Sequence, residues 1–291
     1  MARIGFVGLG HMGLPMAINL LKAGHQVMGF DREQVPMNAL KKAGGSLAST
    51  LQDVALEQDV VITMLQTGEQ VKSVCLGEHG LFAVMPPKTL LIDCSSISVD
   101  ASREVHAHAA RANIWMVDAP VSGGVAGATN ARLTFIVGGQ AEAFEQAKPI
   151  LEAMGHAILH MGDASSGAAG KLCNNMILGV SMIAVSEAFL LAEKLGLSAQ
   201  KFHALVSQAS GKCWVVDNYV PVPGVLPDVP ANHDYKPGFT SAMMLKDLRL
   251  AEEAARREGV HTPMGACARA WYEAADKIHH DLDFSSIIRF I

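Results

Sequence analysis

The sequence predicts an α/β protein with a doubly wound, mostly parallel sheet, then a long interdomain helix and an all-α C-terminal domain. Three observations predict this. Short apolar runs alternate with helical patterns up to about residue 162, no charge occurs at residues 172–186, and the later pattern is mostly helical. Parallel sheets covered on both faces have such apolar strands. We therefore predict a sheet domain at 1–162, an interdomain helix at 163–195, and a helical domain for substrate binding and oligomerisation at 196–291.

The composition is that of a globular chain with room for two domains. Half of the 291 residues are hydrophobic and 18% are charged, which excludes a disordered protein. The formal net charge of −5 argues against a nucleic-acid partner. The five cysteines are scattered without a CxxC pair, which is typical of reduced thiols in the cytoplasm. The twelve histidines show no metal-ligand spacing, so we expect no metal site.

Residues 172–192 are the one candidate membrane span. They include Asn174, Asn175 and Glu187, whose burial in lipid would be costly. A helix buried between domains or subunits explains the stretch better, so we expect no membrane partner. Because one small domain cannot cover so long an apolar helix, we expect a homodimer or homotetramer. We identify no signal peptide before the first predicted strand.

A glycine-rich turn follows the first apolar run and opens a helical pattern. Its members are Gly8, Gly10, His11, Met12 and Gly13. In this context the first glycine permits a tight turn, the second lets the backbone approach a pyrophosphate, and the third lets the helix pack against the sheet. The N-terminus of the helix offers its free N–H groups to the phosphates. The pattern predicts a Rossmann-type dinucleotide-binding domain.

Asp31 indicates which dinucleotide binds. It ends the second apolar run, where a carboxylate accepts hydrogen bonds from both ribose hydroxyls of NAD. A 2′-phosphate would meet its negative charge, so the sequence favours NAD. NADP stays open, because Arg32 lies where an arginine can hold that phosphate.

Further candidates follow the later apolar runs, since ligands of an open parallel sheet bind beyond the carboxyl ends of its strands. Met64, Leu65 and Ser96 lie at such ends. The Ser-Gly-Gly loop (residues 122–124: Ser122, Gly123 and Gly124) offers a hydroxyl and accessible N–H groups, which suit a carboxylate or phosphate. A glycine-rich loop with a purely topological role is the competing interpretation.

Lys171 begins the uncharged stretch, and Asn175 lies one turn later on the same helix face. A lysine and a carboxamide pointing together from an apolar helix suit a small polar substrate. The alternative is a lysine in the first helical turn with its head in water. Asp163 or Ser165 is the predicted cap of this helix.

The remaining sequence predicts helices and one unusual loop. Ser198 is the predicted N-cap of one helix, and Thr262 is the predicted cap of the last helix. Lys246, in a helix between them, is either exposed or directed at a cleft. Residues 219–238 form a Pro-rich loop, whose aromatic residues predict packing rather than disorder. Whether this loop closes over substrate stays open.

Four segments together resemble the β-hydroxyacid dehydrogenase family: residues 5–17, 118–124, 170–175 and 244–248. The resemblance covers essentially the whole chain. Residues 210–239 are most similar to the branch of the family that oxidises 3-hydroxyisobutyrate. The chain departs from the family pattern at Gln66, where proline is usual, and at Ser96, where threonine is commoner.

The resemblance implies an NAD-dependent oxidoreductase that transfers a hydride from a short 3-hydroxy acid, giving methylmalonate semialdehyde from 3-hydroxyisobutyrate in valine breakdown. It implies that Lys171 is catalytic, that the Ser-Gly-Gly loop and Asn175 bind substrate, and that Ser96 and Lys246 contact the cofactor. Reduction of tartronate semialdehyde, or turnover of another short 3-hydroxy acid, is the alternative. A nucleotide-sensing or scaffolding protein is a third hypothesis, which Lys171 and Asn175 disfavour.

Overall fold

A computed structural model describes all residues from 1 to 291. Contacts within the chain define two compact units, Met1–Lys171 and Leu172–Ile291. The boundary between the units falls inside one long helix, so the helix belongs to both.

The first unit is built on one nine-stranded sheet. The strands are β1 (Arg3–Val7), β2 (Gln26–Phe30), β3 (Ser46–Leu47), β4 (Val60–Thr63), β5 (Leu90–Asp93), β6 (Trp115–Asp118), β7 (Val121–Ser122), β8 (Leu133–Gly138) and β9 (Gly155–Gly162). Their order is β3-β2-β1-β4-β5-β6-β8-β7, with β9 paired to β8. Strands β1 to β6 pair in parallel, whereas β8 is antiparallel to β6 and β7. The predicted mostly parallel sheet is confirmed.

Helices cover both faces of this sheet. They are α1 (Gly13–Lys22), α2 (Gln34–Lys42), α3 (Gly68–Leu76), α4 (Val99–Arg111), α5 (Gly124–Thr129) and α6 (Ala141–Leu151). Neighbouring residues of one strand enter different apolar cores: Ile62 belongs to one core, and Val61 belongs to the other. This alternation follows from the two-residue period of a strand and explains the near-continuous apolar runs.

Strand β9 was not predicted from the sequence. It pairs only with β8 and therefore lies at an edge, where Leu159, His160 and Met161 are exposed. Polar and apolar residues mix in an edge strand of this kind, so its sequence lacks the continuous apolar run of the central strands.

The second unit is helical. Helix α7 (Ser166–Lys194) crosses into it from the first unit, and α8 (Ala199–Val206), α9 (Trp214–Asn218), α10 (Ser241–Arg257) and α11 (Pro263–His279) follow. The hydroxyl of Ser198 accepts a hydrogen bond from the N–H of Lys201, which confirms the predicted cap of α8. Thr262 makes no such side-chain bond, although α11 begins after it as predicted.

Helix α7 is the one helix long and apolar enough to cross a membrane by length and composition alone. The core helix of a soluble protein meets the same criterion. The apolar core of the second unit includes Met182 and Phe189 of α7 together with Met244, Leu248 and Tyr272. Burial in that core accounts for part of the apolar composition of α7, whereas Ile177 and Leu191 of the same helix are exposed within one chain.

The Pro-rich loop is held by specific polar contacts. The hydroxyl of Tyr235 donates to the carbonyl oxygen of Pro221 at 2.8 Å. The buried carboxylate of Asp283 accepts from the Tyr219 hydroxyl at 3.0 Å and from the N–H groups of Gly238 and Phe239 at 3.1 and 3.2 Å. The predicted packing of the aromatic residues is confirmed.

Candidate active site

The glycine-rich turn between β1 and α1 has the backbone that its sequence predicts. Gly8 has a φ of +93°, and a Cβ on it would lie 2.3 Å from the carbonyl oxygen of Met64. A Cβ on Gly13 would lie 1.9 Å from the carbonyl oxygen of Gly8. A Cβ on Gly10 would meet no protein atom within 4 Å, so this glycine leaves space beside the N-terminus of α1. The turn therefore fits the pyrophosphate of a dinucleotide.

Asp31 joins the turn to the end of β2. Its carboxylate accepts hydrogen bonds from the N–H of Leu9 at 2.7 Å and from the N–H of Glu33 at 2.8 Å. Each oxygen keeps a further lone pair, with which it can accept from a ribose hydroxyl. The glycine-rich turn and Asp31 thus both fit NAD. Of the other two predicted cofactor contacts in the turn, His11 is exposed and Met12 packs against the apolar core.

The ends of β4 and β5 are joined by a buried polar network that the sequence did not reveal. Asp93 accepts from the Thr63 hydroxyl at 2.8 Å and from the Ser95 N–H at 3.1 Å. The Ser95 hydroxyl in turn accepts from the N–H of Leu65 at 2.9 Å. Asp93 therefore fixes the backbone around the predicted cofactor contacts Met64, Leu65 and Ser96. Burial raises the pKa of Asp93 to about 6, against the opposing hydrogen bonds from Ser95 and Thr63.

The Ser-Gly-Gly loop joins β7 to α5 through two consecutive glycines with positive φ, +133° at Gly123 and +60° at Gly124. The side-chain amide of Asn19 in α1 donates to the carbonyl oxygen of Ala128 in α5 at 2.6 Å. Asn19 is buried, so this bond fixes the helix after the glycine turn to the helix after the Ser-Gly-Gly loop. The two predicted ligand-binding loops are thereby held in one framework.

Lys171 is the last residue of the first unit and only 7% exposed. This burial disfavours the alternative of a lysine in the first helical turn with its head in water. Few lysines are so buried in folded proteins, because burial disfavours the charged amine.

Ser165 occupies the predicted N-cap position of α7, since its carbonyl oxygen accepts from the N–H of Ala169. The Ser165 hydroxyl has no hydrogen-bond partner. Instead, the buried carboxylate of Asp118 at the end of β6 accepts from the N–H groups of Ser165 and Ala168 at 2.8 and 2.7 Å. Sequence reasoning missed Asp118 because its partners lie 47 and 50 residues later in the chain. An acid at the end of an apolar strand was the available signal.

Asn175 and Lys246 belong to the second unit, whereas all other predicted site residues belong to the first. Asn175 is buried, and its side-chain amide donates to the carboxylate of Asp247 at 2.6 Å. The Lys246 ammonium lies 3.4 Å from the other Asp247 oxygen, close enough for charge attraction but without hydrogen-bond geometry. Asp247 was missed as a site residue, although it falls at helical spacing between Met244 and Ala251 in the apolar stripe of α10.

The similarity to known proteins extends over the whole chain. The model of the NAD binding domain of 6-phosphogluconate dehydrogenase matches residues 3–162. The model for the NAD-binding region of NADP-dependent 3-hydroxyisobutyrate dehydrogenase matches residues 165–291. A probable 3-hydroxyisobutyrate dehydrogenase of Mycobacterium tuberculosis is 47% identical over 288 residues, which is 99% of this chain and 97% of the relative. The chain belongs to the β-hydroxyacid dehydrogenase family.

Other family members are similar over the same length. The 3-hydroxyisobutyrate dehydrogenase of Pseudomonas aeruginosa is 45% identical, and the NAD-dependent L-serine dehydrogenase of that organism is 44% identical; each match covers 99% of this chain and 97% of the relative. The solved structure of the Mycobacterium tuberculosis 3-hydroxyisobutyrate dehydrogenase with L-serine matches with a TM-score of 0.95 and 47% identity, covering 100% of this chain and 99% of that chain. Membership in the β-hydroxyacid dehydrogenase family confirms the Rossmann-type fold and NAD or NADP as the cofactor.

Proposed function

We propose that this β-hydroxyacid dehydrogenase oxidises a short 3-hydroxy acid with NAD, and that its substrate is 3-hydroxyisobutyrate, which becomes methylmalonate semialdehyde. The burial of Lys171 is the observation that carries the proposal. An amine acts as a general base only in its neutral form, which burial favours. The Ser-Gly-Gly loop belongs to the same unit as Lys171, and its N–H groups suit the carboxylate of such a substrate.

Each predicted site residue has a separate role in the proposed reaction. NAD, when bound, supplies the acceptor for the hydride that leaves the hydroxyl-bearing carbon. The Ser-Gly-Gly loop holds the substrate carboxylate, and Lys171 takes the proton of the substrate hydroxyl. Asn175, one turn later on α7, orients the substrate beside Lys171. In the reverse direction the Lys171 ammonium returns the proton to the carbonyl oxygen, so the same residue serves both directions.

Two measurements test this function. Lys171→Ala is expected to lower kcat by about 100-fold or more while the Kd for NAD stays within a few-fold. Near wild-type kcat in this variant would refute the role of Lys171. A panel of 3-hydroxyisobutyrate, L-serine and glycerate, each with NAD and NADP, compares kcat/KM between substrates. L-serine is included because a relative named for it is 44% identical, and glycerate tests the tartronate semialdehyde alternative in reverse.

NAD is the proposed cofactor because Asp31 places a carboxylate at the end of β2, where the 2′-phosphate of NADP would be repelled. Arg32, exposed next to it, is the feature that would favour NADP instead. The ratio of kcat/KM for NAD to that for NADP decides between them: a ratio above one supports the role of Asp31, and a ratio below one contradicts it.

A homo-oligomer is proposed from the surface of α7. Its exposed apolar residues lie four or seven residues apart, which places them along one face of the helix, as in a coiled-coil seam. They are Cys173, Ile177, Ala184 and Leu191, with Leu195 just after the helix. Ile177 is 65% exposed and Leu191 is 60% exposed within one chain, so a second copy packed along this stripe would bury both. Light scattering of wild type against Ile177→Asp tests it, and a wild-type monomer would refute it.

The proposed compartment is the cytoplasm. All five cysteines are free thiols, and Cys75 and Cys94 are buried in the core of the first unit. A protein folded in a reducing compartment needs no disulfide to be stable. Fractionation of cells that express the chain at its natural level measures this directly.

A further inference from the structure

We propose that Asp118 and His106 are positioning residues that hold Lys171 in place relative to the Ser-Gly-Gly loop. This inference rests on the function proposed for Lys171. His106 contacts Asp118, and Asp118 accepts from N–H groups at the start of helix α7, so both act through that helix. All the residues concerned belong to the first unit.

Asp118 is linked both to the Ser-Gly-Gly loop, through the chain, and to the start of the helix that carries Lys171, through hydrogen bonds. The chain leaves β6 at Asp118 and reaches Ser122 a few residues later. The same carboxylate binds the N–H of Ala168 in α7, just under one helical turn before Lys171. A shift of this carboxylate would therefore move the loop and the lysine relative to each other.

The contact between β6 and α7 is unusually close. A Cβ on Gly167 would lie 2.6 Å from the carbonyl oxygen and 2.8 Å from a carboxylate oxygen of Asp118. A Cβ on Gly138, the strand partner of Asp118, would lie 2.5 Å from the Gly167 nitrogen. Because both positions are glycine, the first turn of α7 packs directly against the ends of β6 and β8. This close packing leaves little room for α7 to shift relative to the strands.

Ser165 supports this interpretation. It has a φ of +70°, in the left-handed region that non-glycine residues seldom occupy, and it is buried. Such a conformation persists only where the surrounding structure holds it. Its N–H donates to Asp118, and its carbonyl oxygen accepts from the N–H of Ala169. The partial positive charge of the helix N-terminus favours the carboxylate there.

His106 in α4 completes the set of partners. Its Nε2 lies 2.8 Å from the Asp118 oxygen that also accepts from Ser165, and the histidine side chain is 10% exposed. Asp93, whose strand position pairs with Asp118, carries another buried carboxyl. His106 is therefore the group whose loss would let the carboxylate turn away from the helix start without removing the carboxylate itself.

His106 variants test the proposal. His106→Leu removes the bond, whereas His106→Gln keeps a nitrogen donor of similar reach. His108→Leu is the matched control, because His108 is exposed on the same helix. We expect His106→Leu to lower kcat by about 10- to 100-fold, with the Kd for NAD within two-fold, and His106→Gln to recover most of the loss. A purely structural role predicts lower thermal stability with unchanged kcat in the folded enzyme.

The outcomes separate this inference from the proposed function. If Lys171→Ala is inactive while His106→Leu turns over like His108→Leu, the positioning role is overturned and the function of Lys171 stands. If Lys171→Ala retains full turnover, both are overturned. Should His106→Leu fail to fold, Asp118→Asn replaces it: the amide presents a donor to one helix N–H, and unchanged kcat in that variant overturns the positioning role.

Discussion

The side-chain amide of Asn175 donates to the carboxylate of Asp247, 72 residues later in the chain, at 2.6 Å. A carboxylate accepts and does not donate, so the NH₂ group of Asn175 must face Asp247. Its oxygen accepts from the side chain of Asn174 at 3.0 Å. The orientation of the Asn175 amide is therefore fixed by Asp247, which makes Asp247 the support of a predicted substrate contact.

Asp247→Asn is expected to lower kcat/KM by about 10- to 100-fold, because a second amide allows Asn175 to flip and lose its orientation. Steady-state kinetics with 3-hydroxyisobutyrate measure this. Glu253→Gln, an exposed change on the same helix, is the control and should have no effect. Equal kcat/KM values for the two variants would show that Asp247 does not support catalysis.

Asp93→Asn is expected to change how stability depends on pH. The pKa of Asp93 is about 6 in the folded protein and 3.8 in the unfolded reference, because burial disfavours its charge. Its contribution to stability is thus fully present below pH 3.8 and is lost as the pH rises through 6. That loss is about 3 kcal/mol for a shift of this size. The unfolding free energy of the variant minus that of wild type should therefore rise by about this amount between pH 4 and 7.5.

Asp59→Asn is the matched control for the pH experiment. The N–H of Arg3 donates to the Asp59 carboxylate and holds its pKa below the ordinary value. Its contribution is present above pH 3.8 and is lost only at lower pH. The difference between this variant and wild type must not rise between pH 4 and 7.5. A rise for Asp59→Asn, or a flat difference for Asp93→Asn, would contradict the assigned burial effect.

Those parts of the fold and of the site that depend on residues close together in the sequence could be predicted from it. The glycine turn, Asp31 and the central strands are each defined by residues within a few positions of one another. Asp93, Asp118 and Asp247 were missed, because each acquires its role from partners in other elements. All three are acids at the end of, or within, an apolar pattern, where a charge is costly unless it is hydrogen-bonded. An acid at the end of an apolar run, or within an apolar stripe, is therefore the sequence signal from which the roles of these three residues could have been predicted.

Tyr219→Phe tests how the Pro-rich loop is held. The Tyr219 hydroxyl donates to the buried carboxylate of Asp283, which also accepts from Gly238 and Phe239. Removing one donor to a buried carboxylate is expected to reduce the unfolding free energy at pH 7 by about 1.5–3 kcal/mol. Urea unfolding measures it. Asp217→Asn, an exposed acid two residues earlier, is the control, and an equal loss in both variants would contradict the role of the hydroxyl.

Gly10→Ala and Gly13→Ala separate cofactor binding from folding at the same turn. A methyl group on Gly13 would lie 1.9 Å from the Gly8 carbonyl oxygen, so this variant should lose about 2 kcal/mol or more of unfolding free energy. A methyl group on Gly10 meets no protein atom within 4 Å, so stability should stay within about 0.5 kcal/mol of wild type. That methyl group occupies the space expected for the pyrophosphate, and the Kd for NAD should rise by about 10-fold or more. Calorimetric titration of Gly10→Ala with NAD is decisive, since wild-type affinity there would place the cofactor elsewhere.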